Sequence, residues 1–245
     1  MHDSATALRR LTRNLFAVLV TLGLPVYTHA SDPKAEPTAD LSSEWTILHT
    51  TKDGTRKPSP VPEDSRLQPL DTLDLEGLPN ADINLIGHYG VDGNWGVDRG
   101  WIRQTSGSTA ALKIATAEDF EFDGQVNAGG LGGWFLLFGW RDNHGYVIYN
   151  VQLKTSTSPW LLCEIRGGEF IPETHRELTR YSWGGSLATE LSVHDKRVTL
   201  RAGKRRIASD VELPNYHAGD VIIGTYKSQY GPKPLRLGNL RIRAK

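Results

Sequence analysis

Apolar and polar residues alternate along short segments of this chain, and turn residues separate the segments at short intervals. In residues 146–153, Val147 and Tyr149 point to one face, while Tyr146 and Asn150 point to the other. This alternation is typical of a β-strand, because successive side chains of a strand leave on opposite faces.

Similar segments predict strands over most of the chain. Strands are expected at residues 45–50, 72–76, 83–89, 101–104, 110–114, 119–126, 134–140, 146–153, 160–166, 188–194, 197–202, 204–211, 220–226 and 235–243. No segment has sustained helical periodicity, and no internal repeat is visible. Many short strands with frequent turn signals predict an all-β fold, an antiparallel β-sandwich of the jelly-roll class.

The first residues have the composition of an export signal. Several arginines precede an apolar run at 15–24, and small residues follow at 28–30. This order predicts a signal peptide over residues 1–30, cleaved after Ala30. The protein is therefore expected to be secreted or periplasmic, without stable membrane insertion after cleavage.

The rest of the chain divides by composition. Residues 31–43 are rich in Pro, Ala, Asp and Glu, which predicts a disordered spacer. Residues 44–245 are expected to form a single sandwich domain. Within it, residues 52–69 are expected to be a surface loop, because their prolines exclude helix and central strand. Residues 167–185 are expected to be a long polar connection.

Charge and cysteine content exclude some classes of protein. The formal net charge is zero, so no nucleic-acid partner is predicted. Cys163 is the only cysteine, and no disulfide within the chain is possible. Its place in an apolar strand predicts a buried hydrophobic residue rather than a nucleophile.

A candidate surface follows from choosing the more uniformly apolar side of each strand as core. With Phe120, Phe122, Leu161, Cys163 and Ile165 inside, the opposite side chains form one predicted surface. That surface comprises Glu121, Asp123, Gln125, Tyr146, Asn150, Gln152, Trp160, Glu164 and Arg166. Aromatic rings suit the apolar faces of sugars, and amides and carboxylates suit their hydroxyls, so the predicted partner is a carbohydrate. A solvated strand face is the alternative interpretation.

Roles can be assigned within this surface. Glu164 is the candidate catalytic base and Arg166 the candidate electrophilic partner. The candidate substrate-binding residues are Tyr146, Asn150, Gln152, Trp160, Glu121 and Asp123. In a consecutive meander, Glu121 and Glu164 would lie about 14 Å apart. Two-carboxylate glycosidases need about 5–9.5 Å, so this mechanism is disfavoured.

No metal site and no cofactor are predicted. The histidines, among them His144 and His217, are scattered without the spacing of metal ligands and are interpreted as turn or surface residues. The stretch Asp92-Gly-Asn94, together with Asp98, could offer oxygens to calcium, but tight turns also explain these residues.

Four passages resemble the concanavalin A-like jelly rolls, and within them the 3-keto-disaccharide hydrolase-like domains. The passages are Trp95-Gly-Val-Asp98-Arg-Gly100, Asp119-Phe-Glu-Phe-Asp123, Tyr149-Asn-Val-Gln-Leu153 and Leu235-Arg-Leu-Gly-Asn-Leu-Arg-Ile-Arg243. At Asn150 the family pattern has Glu. The resemblance implies a sugar site on the concave sheet and a hydrolase or lyase acting on a 3-keto glycoside. A non-catalytic carbohydrate-binding module and a laminin G-like interaction domain are the alternatives.

Overall fold

The structure is a computed structural model, and it describes residues 41–51, 59–61, 66–70, 93–107, 109–128, 132–152, 158–182, 185–226 and 235–245. These residues form strands joined by turns, with a short 3₁₀ turn at Pro172–Thr174. No helix in these ranges is long and apolar enough to cross a membrane.

The strands belong to two antiparallel sheets. Sheet A contains β1 (Thr46–His49), β2 (Ser59–Pro60), β4 (Trp95–Asp98), β5 (Trp101–Gln104), β7 (Phe120–Ala128), β13 (Leu187–His194), β14 (Arg197–Ala202), β15 (Arg205–Glu212) and β17 (Leu235–Ala244). Sheet B contains β3 (Gln68–Leu70), β6 (Ala110–Ala117), β8 (Gly132–Arg141), β9 (His144–Gln152), β10 (Pro159–Arg166), β11 (Glu169–Phe170), β12 (Arg176–Arg180) and β16 (Gly219–Tyr226).

Neighbouring strands are often distant in sequence. Within the described residues, the order in sheet A is β15-β14-β13-β7-β17-β5-β4-β2, and β1 also pairs with β17. The order in sheet B is β11-β10-β9-β8-β16-β6-β3, and β12 also pairs with β10. Apolar side chains of both sheets form one shared buried cluster. The predicted all-β antiparallel sandwich is therefore confirmed.

Two predicted loops contain short strands. The predicted surface loop 52–69 includes β2 and the start of β3. Among the described residues, these are the last strands in the order of sheet A and of sheet B. Pro60 and Pro69 can occupy such edges, because an edge strand tolerates a missing N–H donor. The predicted connection 167–185 contains β11, the 3₁₀ turn and β12. The predicted signal peptide, residues 31–40 of the spacer, and the strands predicted at 72–76 and 83–89 lie outside the described residues.

The inward side of sheet A was predicted correctly. Phe120, Phe122 and Val126 are at most 1% exposed and belong to the cluster between the sheets. Glu121 and Asp123 alternate with them and lie on the outer face. Alternation along β7 therefore gave the right orientation, because only one of its faces is apolar.

The inward side of sheet B is the opposite of the predicted one. Three rows of paired residues across β8, β9 and β10 face sheet A: Trp134–Asn150–Trp160, Leu136–Ile148–Leu162 and Phe138–Tyr146–Glu164. The residues predicted as inter-sheet core, Leu161, Cys163 and Ile165, form a second buried cluster on the other face. Both faces of β10 are buried, so choosing its more apolar face did not identify the face that packs against sheet A.

Candidate functional site

A polar cluster lies at the end of sheet B, around a buried carboxylate. Glu164 of β10 is 1% exposed. We call its surroundings the Glu164 cluster, which comprises Glu164, Arg166, His144, Tyr146, Asn215 and His217. These residues come from the β8–β9 hairpin, β10, and the connection between β15 and β16.

The Glu164 carboxylate accepts hydrogen bonds from several donors. Arg166 donates to Oε1 from Nε at 3.2 Å and from a terminal nitrogen at 2.7 Å. Asn215 Nδ2 lies 3.2 Å from both carboxylate oxygens. The Tyr146 hydroxyl donates to Oε2 at 3.3 Å. Burial raises the pKa of Glu164, but the bonds from Arg166, Asn215 and His144 outweigh it and hold the pKa below its usual value. The carboxylate is therefore ionised at neutral pH.

Backbone geometry brings His144 to this carboxylate. Asp142 and Asn143 both have positive φ, as a two-residue hairpin turn of the primed type requires. Gly139 lies in the left-handed region with φ 65°, and a Cβ there would fall 2.7 Å from the His217 carbonyl oxygen. The glycine thus lets the connection carrying His217 pass close to the hairpin.

Glu164, His144 and His217 form a hydrogen-bonded chain. His144 Nε2 lies 3.1 Å from Glu164 Oε1, and His144 Nδ1 lies 3.2 Å from His217 Nε2. His217 Nδ1 lies 3.0 Å from the carbonyl oxygen of Ala218. The two rings meet edge to face, with centroids 4.7 Å apart.

The two ends of this chain set the direction of its outer hydrogen bonds. An ionised carboxylate and a carbonyl oxygen only accept, so His144 Nε2 and His217 Nδ1 must both donate. The contact between the two rings needs one further proton. Making all three hydrogen bonds therefore requires three protons on two imidazoles, one more than two neutral rings carry.

The structure corrects the predicted positions of several site residues. Trp160 and Asn150 were expected on an exposed face, but they are 1% and 0% exposed and point between the sheets. Trp160 Nε1 donates to the Tyr181 carbonyl at 3.0 Å, and Asn150 Nδ2 donates to the Pro159 carbonyl at 2.8 Å. Tyr146 also points inward and is 3% exposed. The Gln152 side chain lies outside the described part of the chain.

The predicted single surface is divided between the two sheets. Glu121 and Asp123 belong to β7 in sheet A, whereas Glu164 belongs to β10 in sheet B. The consecutive meander for which the 14 Å separation was worked out does not form, because β7 pairs with β13 and β17 rather than β8. Glu121 and Glu164 therefore cannot flank one glycosidic bond. The structure does bring the two predicted catalytic residues, Glu164 and Arg166, together.

Sequence reasoning missed the two histidines of the cluster. His144 and His217 were interpreted as turn or surface residues, and 73 positions separate them. Asn215 was not singled out either. No local spacing could reveal this set, because the contact between the hairpin and the β15–β16 connection is long-range.

Two groups of side chains bear on metal binding. In the described ranges, Asp119, His194 and Asp195 place one ligand atom each within 4.8 Å of one another, with Asp195 exposed. The Asp98 carboxylate, which was considered for calcium, accepts from Arg103 at 2.8 Å. Asp92, from the same stretch, lies outside the described residues.

No protein-family model matches the sequence, and no curated protein matches it. Similar solved structures include a carbohydrate-binding module from Bacillus subtilis (12% identity, TM-score 0.45, 83% of this chain and 97% of that chain). They also include a β-glucanase from Bacillus licheniformis (8%, 0.48, 83% and 98%). A third is a β-1,3-glucanase from Mycobacterium marinum (12%, 0.47, 86% and 100%).

With TM-scores below 0.5 and identities of at most 12%, these similarities carry no argument about the fold or the function of this chain. The resemblance to 3-keto-disaccharide hydrolases stays a prediction. The chemistry of the site has to be inferred from its own side chains.

Proposed function

We propose that this chain is a carbohydrate-active domain that breaks a glycosidic bond by proton transfer from the His144–His217 pair. The observation that carries this proposal is the hydrogen-bonded chain from Glu164 through both rings to Ala218, which needs one more proton than two neutral imidazoles hold. The carbohydrate substrate is supported by the sequence motifs that resemble sugar-active jelly rolls.

Glu164 orients the pair rather than meeting the substrate. Its side chain is 1% exposed and its pKa is held low, which makes it a weak base and a stable anion. The His144 side chain is 22% exposed, so the pair can be reached from solvent. The predicted base is thereby reassigned from Glu164 to the histidine that it holds.

The proton count gives the order of events. The fully bonded pair donates one proton to the departing glycosidic oxygen as the C–O bond breaks. It then holds two protons and has lost one of its three hydrogen bonds, so it acts as a base. The missing proton returns from a substrate C–H in an elimination, or from the attacking water in a hydrolysis. Arg166, with a side chain 55% exposed, can bind a developing oxyanion beside the pair.

The test compares turnover of histidine variants. The purified protein is assayed on cellobiose, maltose and sucrose and on their 3-keto derivatives. We expect His144→Ala and His217→Ala each to reduce kcat by about 100-fold or more, the usual contribution of a positioned acid or base. His194→Ala is the matched control, because His194 also contacts a carboxylate, Asp119, at 3.1 Å, but lies in sheet A.

Two results would contradict the proposal. Equal turnover in His144→Ala and the wild type would exclude proton transfer by the pair. Saturable glycan binding without any turnover on the six sugars would indicate a non-catalytic binding module. Secretion, which would give access to extracellular glycans, stays a prediction.

A further inference from the structure

A cleft of about 270 Å³ lies on the outer face of sheet A, away from the Glu164 cluster. Its floor is formed by side chains from β7, β13, β14 and β17, and Trp45 stands at one side. None of these residues has a part in the proton transfer proposed above.

Strand register arranges the outward side chains as two rows across β17, β7, β13 and β14. One row is Arg243–Glu121–Ser192–Thr199, and the other is Arg241–Asp123–Glu190–Arg201. Directly opposed side chains lie close enough to interact across a sheet. The rows therefore place hydrogen-bond donors and acceptors side by side.

The charges of the rows cancel in pairs. Arg243 pairs with Glu121, Arg241 with Asp123, and Arg201 with Glu190. Lys245 Nζ is a further cation, 3.5 Å from Glu121, so each carboxylate of the rows is already paired with a cation. Such paired charges give little attraction for a charged ligand. The arginines can donate hydrogen bonds to a neutral ligand, and the carboxylates can accept hydrogen bonds from it.

The pairing leaves acceptor positions in the cleft. Nε and one terminal nitrogen of Arg241 both reach Oδ2 of Asp123, at 2.8 and 2.5 Å. Among the described residues no hydrogen bond to Oδ1 is seen, so this oxygen can accept from a ligand hydroxyl. The pKa of Glu121 is lowered, chiefly by its hydrogen bond from Arg243, so this carboxylate is also an ionised acceptor.

Trp45 gives the cleft an aromatic wall. The guanidinium carbons of Arg241 and Arg243 lie 4.3 and 4.6 Å from the centre of its ring. These contacts fix the indole beside the acceptor row, although the residue is only partly buried. A rigid indole next to carboxylates and guanidinium groups can contact both the apolar face and the hydroxyls of a pyranose ring.

We propose that this cleft is a binding site for a neutral oligosaccharide, with Trp45 against a sugar face and Asp123 accepting from a hydroxyl. The proposal goes beyond the function proposed above, because binding here needs no proton transfer and shares no residue with the His144–His217 pair. Glu121 and Asp123, the two β7 residues that the sequence predicted for substrate binding, both line this cleft.

Calorimetric titration of the full chain tests the site with defined probes. These are hexasaccharides of β-1,4-glucan, β-1,3-glucan and α-1,4-glucan, with hexagalacturonate as the anionic comparison. We expect at least one neutral glucan to bind. Trp45→Ala and Asp123→Asn should each weaken that binding by about tenfold or more. Trp45→Phe should restore part of the affinity.

Asp210→Asn is the matched control, because Asp210 also accepts from an arginine Nε, that of Arg197 at 2.7 Å, but does not line the cleft. Binding in this variant should equal that of the wild type. Melting curves verify that each variant is folded. The absence of neutral-glucan binding, a preference for hexagalacturonate, or unchanged affinity in folded Trp45→Ala would each overturn the proposal.

His144→Ala separates the two sites. If turnover is lost and glucan binding persists in this variant, both proposals stand. If the wild type turns over none of the sugars but its glucan binding depends on Trp45, the proposed binding cleft is supported and the proposed function is excluded. If turnover depends on His144 but no binding depends on Trp45, the cleft fails alone.

Discussion

Replacing Trp160 by alanine distinguishes the observed strand orientation from the one that the sequence predicted. Trp160 is 1% exposed and contacts Trp134 edge to face at 5.4 Å between ring centroids. Its Nε1 also donates to the Tyr181 carbonyl at 3.0 Å. The substitution removes a large buried side chain, an aromatic contact and a hydrogen bond from the core. We therefore expect loss of stability rather than selective loss of glycan binding.

The size of the effect follows from the burial. Truncating a buried Trp to Ala costs about 3–5 kcal/mol. For a domain of this size, each kcal/mol shifts the Tm by about 2–4 °C, so we expect a decrease of about 6–20 °C. Urea denaturation followed by circular dichroism measures the free energy of unfolding. Trp45→Ala, at a partly exposed indole, should cost about 1 kcal/mol and serves as the control.

An unchanged denaturation midpoint in Trp160→Ala, together with weakened glycan binding, would refute the orientation of β10. Trp160 would then face a ligand, as alternation alone predicted.

Three further predictions concern burial and ionisation. Phe122→Ala should cost about 3–5 kcal/mol of unfolding free energy, because Phe122 is 1% exposed, and an unchanged urea midpoint would contradict its place between the sheets. The pKa of Glu164 is lower in the folded state than its usual 4.5, so its stabilisation is complete above about pH 4.5 and is lost as the pH falls through the lower folded value. Glu164→Gln should flatten the stability profile over that interval, and a profile parallel to the wild type would show that Glu164 is not the responsible group. Burial raises the pKa of the Cys163 thiol to about 11, so a thiol reagent at pH 8 should label it only after unfolding, and rapid labelling of the native protein would show that the strand opens.

The sequence was sufficient for the fold class and for most of the strands. Turn residues marked several hairpins correctly, as at Asp195 and Lys196, which have positive φ between the paired residues His194 and Arg197. Local backbone chemistry determines such turns, so a single sequence contains enough information. The order of strands in the sheets is a different matter. The sequence shows two strands at 119–126 and 134–140, but not that they lie in different sheets.

The site could be predicted only in part, for the same reason. Glu164 and Arg166 are two residues apart on one strand, and their contact at 2.7 Å was accessible from the sequence. His217 reaches His144 only after β16 pairs with β8 and brings the β15–β16 connection to the hairpin. Such a contact depends on sheet order, which periodicity does not encode.

The face of β10 was misassigned because a polar residue can lie at the inner side of a sandwich where the sheet ends. Glu164 shares its row with Phe138 and Tyr146, and Trp160 shares its row with Trp134 and Asn150. Along β10 the inward side chains therefore change from Trp160, which lies beside Trp134, to the Glu164 carboxylate, which has its own hydrogen-bond donors. The cost of burying that charge is offset by its hydrogen bonds, which also hold its pKa low. A buried carboxylate that orients an accessible histidine pair is more consistent with a proton-transfer site than with packing alone, because an apolar residue would fill the same space without the desolvation cost.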